Sequence, residues 1–167
     1  MKKLWVLLFA FIIMSVFSCS FAGEINSVAD AKDKEAKMLQ LYNTDFDSFI
    51  NKSELIGDRY YSFKMATQSY KKSAQISAET LASYLSHIDM IQNSPDYTDS
   101  DKDAQIKRIF MQMDTSIYDF DSSTLNFVMQ LRYSMPSMSY AKFVRKFKDY
   151  YNSLGLTSEE FNPEIIK

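Results

Sequence analysis

The chain has 167 residues, with 19 Lys and Arg against 21 Asp and Glu and a single histidine and cysteine. That balance gives no electrostatic reason to expect nucleic acid, and the lone cysteine excludes an internal disulfide. Only three glycines argue against glycine-rich phosphate loops and turn-rich β or α/β architectures, and point to few turns and long helices.

Residues 1–22, MKKLWVLLFAFIIMSVFSCSFA, read as a secretory signal peptide. Lys2 and Lys3 are followed by an apolar run, Leu4 to Phe17, that is short for a transmembrane helix. Cleavage after Ala22 is consistent with small residues at Ser20 and Ala22. Alternatively, Val16-Phe17-Ser18-Cys19 resembles a lipobox, in which case cleavage precedes Cys19 and its sulfur carries a lipid anchor. The expected location is therefore the periplasm, free or as a membrane-anchored lipoprotein. Either outcome removes thiol catalysis. Residues 23–167 then form a single helical domain, with 17 basic against 21 acidic residues once Lys2 and Lys3 leave.

Residues 25–42 predict a first amphipathic helix, with Ile25, Val28 and Ala29 and then Leu39 and Tyr42 inward. Thr44 is placed to cap a second, short helix carrying Phe46, Phe49 and Ile50 and ending near Gly57. From Asp58 to Asn93, Tyr60, Phe63, Thr67, Tyr70, Ala74, Ser77, Leu81, Tyr84, Ile88 and Ile91 alternate in steps of three and four, a sustained heptad stripe. Asn93-Ser94-Pro95 stops it.

The next helix is expected from Asp99, with Ile106, Phe110, Met113, Ile117, Phe120, Thr124, Phe127 and Leu131 on its seam, a weak point at Asp119–Thr124 and an end at Pro136. The last main helix is expected over Met138–Leu154, with Tyr140, Phe143, Phe147, Tyr150 and Leu154 inward. Gly155 stands where a left-handed terminating residue belongs, with Leu156 folding back. Thr157 and Glu160 have capping-box spacing before a short closing helix that Pro163 limits. The stretch LTSEEF, Leu156 to Phe161, faintly resembles the Leu-Thr-x-x-Gln signature of small helical periplasmic stress chaperones. It covers about five residues, Glu160 replaces the glutamine, and it assigns no family. The fold class expected is all-α: an antiparallel up-and-down helical bundle of three to four main helices plus short terminal helices, with residues 25–57 covering an open side.

Four features bear on function. Asp99, Asp101 and Asp103 alternate like the first ligands of a calcium loop, but Ala104 and Phe110 stand where glycine and glutamate are needed. They suit the acidic first turn of a helix better. His87 has no companion histidine and Tyr84 three residues before it, so it builds no carboxylate–histidine metal site. Lys142, Arg145, Lys146 and Lys148 interleave with Phe143, Val144 and Phe147, a pattern that suits an acidic partner or an anionic membrane. The same residues could instead be a solvated back face, paired with the acids at the start of the preceding helix or in DFDSS. The tyrosine pairs Tyr60-Tyr61 and Tyr150-Tyr151 are expected to leave one member each partly exposed, as a contact residue or an ordinary rim residue of the bundle.

No Gly-x-Ser-x-Gly or other nucleophile pattern appears, and no cofactor is expected. The leading expectation is an exported non-catalytic protein that binds another protein or peptide in the cell envelope, using Lys142, Arg145, Lys146, Lys148, Tyr150 and Tyr151. The alternatives are a small-ligand or metal carrier using the bundle interior, or a periplasmic chaperone-like holdase.

Overall fold

The structure, a computed structural model, describes residues 25–52, 60–133 and 136–156. Every regular element among them is helical and no strand occurs among the described residues. The signal segment with Cys19, the Gly57 helix end and the Thr157–Glu160 capping box lie outside them, as do the side chains of Tyr60 and Tyr61.

Helix α1, Val28–Gln40, starts at Ser27, whose Oγ accepts a hydrogen bond from the Asp30 backbone N–H at 3.1 Å. Its buried residues are Ala31 and Met38, with Ile25 ahead of it and Leu41 after it. Val28, Leu39 and Tyr42 pack against this core half-buried, as expected, but Ala29 is exposed, which corrects that part of the expected face. Ile25 is fixed by its backbone N–H, which donates to Asp114 Oδ1 at 2.8 Å, so it is anchored before the helix begins rather than by helical phase.

Thr44 does not start a new helix. The chain stays helical through a π-type turn, Leu41–Asp45, into α2, Phe46–Lys52. The reason lies in the apolar spacing. Leu41 and Phe46 are both buried but five residues apart, about 140° out of phase in a regular α-helix. A wider turn brings both to one side.

Helices α3, Tyr60–Asn93, and α4, Asp99–Arg132, have 34 residues each, roughly 50 Å. The connection is built from its own sequence. Thr98 Oγ1 accepts from the Asp101 N–H at 3.3 Å, and Lys102 Nζ donates to the Gln92 carbonyl at 2.9 Å, binding an end carbonyl of α3. The two helices run antiparallel, with Tyr70 Oη and Thr124 Oγ1 3.0 Å apart well away from the turn. The heptad stripe is their seam: Phe63, Thr67, Tyr70, Ala74, Ser77, Leu81, Ile88 and Ile91 meet Met113, Ile117, Phe120, Thr124, Phe127 and Leu131, all buried. The expected weak point in α4 is absent. Ser123 and Thr124 each donate to the carbonyl four residues back, at 3.0 and 3.1 Å, so their hydroxyls follow the helix instead of competing with it.

Helix α5, Ser137–Ser153, ends at Gly155, whose φ of 66° is left-handed. The Gly155 N–H donates to the Asn152 carbonyl at 2.9 Å, and Leu156 is buried beyond it. Phe46 of α2 is where the helices converge. Its ring lies 5.3 Å from Tyr70 of α3, 5.6 Å from Phe127 of α4 and 6.2 Å from Phe147 of α5, centroid to centroid and edge-on in each case.

Candidate functional site

The inner face of α5 is taken up by packing. Phe143 and Phe147 are fully buried, stacked on each other at 5.7 Å, and both face Phe49 of α2 and Phe127 of α4. Helical phase then turns Lys142 and Arg145 outward, where they are exposed, while Lys146 and Lys148 lie half-buried on the flanks. None of these four cations makes a hydrogen bond or ion pair among the described residues. They do not pair with the acidic first turn of α4. Nor do they meet the DFDSS carboxylates: Asp119 is exposed, and Asp121 is buried with its Oδ1 accepting from Tyr151. One acid, the exposed Asp149, shares the outer surface of α5 with them.

As expected, one of the pair Tyr150-Tyr151 stays partly exposed, but the fully buried member is Tyr151 rather than Tyr150. Tyr151 is 0% exposed and its Oη donates to Asp121 Oδ1 at 2.8 Å. Tyr150 is half-buried, with its ring stacked on Phe49 at 4.7 Å and 14°. Both turn inward because α5 has two neighbours to fill: Tyr150 meets α2 and Tyr151 meets α4. Tyr151 is therefore removed from the outer contact surface, and Tyr150 contributes little to it.

Behind Tyr151 lies a buried polar cluster that periodicity alone did not single out. It comprises Asp121, Thr124, Tyr70 and Tyr151, drawn from three helices. Burial pushes the Tyr151 and Tyr70 hydroxyls far above the ordinary tyrosine range, and the nearby Asp121 charge adds to it in both. They remain protonated, and act as hydrogen-bond donors rather than as bases or phenolate nucleophiles. Burial also raises Tyr140, opposed by the positive charge of Arg132. The signal that could have found the cluster is Asp121 itself, an acid immediately after Phe120 and three residues before Thr124 of the seam.

Asp99, Asp101 and Asp103 are exposed on the first turns of α4, where Thr98 Oγ1 also donates to Asp101 Oδ2 at 2.6 Å. The backbone is helical from Asp99, so Asp101 points away from the other two and the carboxylates do not converge. No group of three potential metal-ligating side chains occurs among the described residues. His87 is exposed on α3. No described helix is long and apolar enough to cross a membrane. No protein-family model, curated protein or solved structure matches this chain.

Proposed function

We propose that this chain is an exported, non-catalytic helical protein that binds another protein or peptide in the cell envelope through the outer face of α5. In this reading α1–α2, α3, α4 and α5 make an antiparallel up-and-down bundle, delivered by the signal segment 1–22 and free in the periplasm or held to the membrane by lipidated Cys19.

The observation that carries the reading is the state of Lys142, Arg145, Lys146 and Lys148: four cations on two turns of helix with no partner among the described residues. Insertion of α5 into a membrane would need its apolar face free, and Phe143, Phe147 and Tyr151 commit that face to the core. What remains outward is positive charge on a folded scaffold, suited to an acidic protein surface. The test is the double charge reversal Arg145→Glu with Lys146→Glu. It should abolish capture of the partner by cross-linking in the envelope, with the melting temperature unchanged. Capture equal to the parent's would remove the α5 face from the proposal.

A second reading, the chaperone-like holdase, is favoured by one observation. Met65, Met90, Met111 and Met129 are all exposed, with Ile76, Tyr118 and Tyr133. Flexible thioethers on a surface adapt to unrelated apolar clients. A single stoichiometric partner in the capture would count against it, and a broad set of clients would favour it.

A further inference from the structure

A cleft of about 180 Å³ opens between the N-terminal half of α3 and the C-terminal half of α4. Among the described residues it is lined by α3 and α4 alone, so it does not draw on the outer face of α5. Ser69 and Ser73 stand on one wall, and Ser123, Asn126 and Gln130 on the other. Tyr70 and Phe127, stacked at 4.7 Å and 9°, close the bottom of the cleft; both are almost wholly buried, so its accessible lining is mainly polar. Among the described residues, no charged side chain lines the cleft.

The polar groups have defined roles. Ser73 Oγ donates to the Ser69 carbonyl at 3.3 Å, and Ser123 Oγ donates to the Asp119 carbonyl at 3.0 Å. Each hydroxyl proton is thus directed to backbone, and each oxygen keeps acceptor capacity. The Asn126 side chain, exposed at the mouth, supplies two donors and an acceptor. Ser69 and Ser73 are one turn apart, as are Asn126 and Gln130, so each wall repeats its polar groups at about 5–6 Å.

We propose that this cleft binds a neutral, polyhydroxylated ligand of monosaccharide size. A charged ligand would exchange its hydration for uncharged dipoles with no counter-charge. An apolar ligand would strand the serine and carboxamide groups without water. A small ring bearing several hydroxyl groups meets the polar groups of both walls with hydrogen bonds and brings no charge to be desolvated.

The test is a nitrogen-15 amide titration of the chain with D-glucose and, separately, N-acetylglucosamine. The expected result is saturable shifts confined to the residues lining the cleft, with a Kd of roughly 1–10 mM. Asn126→Ala, at an exposed position that leaves the fold intact, should weaken binding about threefold or more, and Ser73→Leu should fill the cleft and abolish the shifts. The Arg145→Glu, Lys146→Glu double variant should titrate like the parent, which separates failure here from failure of the α5 face. Shifts that stay linear with both sugars would overturn the proposal and leave a hydrated cleft only. Saturable shifts that survive both cleft variants unchanged would overturn it equally, by placing the sugar elsewhere.

Discussion

Tyr151 Oη and Asp121 Oδ1 lie 2.8 Å apart inside the protein, a hydrogen bond that joins two helices within the buried cluster of Tyr70, Asp121, Thr124 and Tyr151. A buried carboxylate without donors is costly, so this bond holds α5 at one rotation against α4. Tyr151→Phe removes this donor to the buried Asp121 carboxylate, and should cost about 1–3 kcal/mol in urea unfolding. Asp121→Asn keeps an acceptor and should cost less. The double variant should show a coupling of at least ~0.5 kcal/mol. Additive losses would mean the two groups stabilise the fold independently.

Alkaline stability follows from the same cluster. Tyr70 and Tyr151 have folded pKa values raised by burial, while an unfolded tyrosine ionises near pH ~10. Above that pH the unfolded chain binds fewer protons than the folded one, so stability falls with rising pH. The contribution is whole below pH ~10 and declines steadily above it. Melting curves should show this decline, and Tyr151→Phe should make it shallower. An identical slope in the variant would show that Tyr151 ionises freely in the folded state.

Phe46 tests how far the four helices depend on one another. Its ring touches Tyr70, Phe127 and Phe147, each from a different helix. Phe46→Ala should cost about 3–5 kcal/mol, a large share of the stability of a typical domain. The loss should appear as one cooperative transition with a lower midpoint. Two separated transitions would show that α1–α2 melts away from a stable remainder.

The long helices were legible because their signal is long. Phe63 to Ile91 and Ile106 to Leu131 keep heptad phase over many turns, and each of these positions that periodicity assigns to the seam is buried except Tyr84, Ile106 and Phe110, which are half-buried. Short segments carry less signal. In α1 an assignment one residue off placed Ala29 inward, because Ile25 is held by Asp114 rather than by the helix. The π turn at Leu41–Asp45 was hidden because Thr44 is a good capping residue by composition, while the burial of both Leu41 and Phe46 decides the local geometry. Tyr151 was misplaced for a related reason. A single-stripe reading allows one inward tyrosine of a pair, and α5 has two inward neighbours. Nor could the spacing of Lys142 to Lys148 tell an intramolecular pairing from an open face, since that depends on where Asp119 and Asp121 point.

Gly155 joins sequence to packing most directly. Its φ of 66° disfavours any side chain, and a Cβ there would come 2.9 Å from Lys37 Nζ and 3.2 Å from Lys37 Cε. The lysine tip is flexible and already paired with Asp33, so it can move aside at little cost. The left-handed backbone then accounts for most of the penalty, and Gly155→Ala should destabilise by about 1–2 kcal/mol. Gly155→Asn, which tolerates the left-handed region better, should recover part of that. Lys37→Ala in the Gly155→Ala background separates the two causes: if strain dominates, relieving the contact restores almost nothing. A full recovery would place the cost in the contact between the end of α5 and α1.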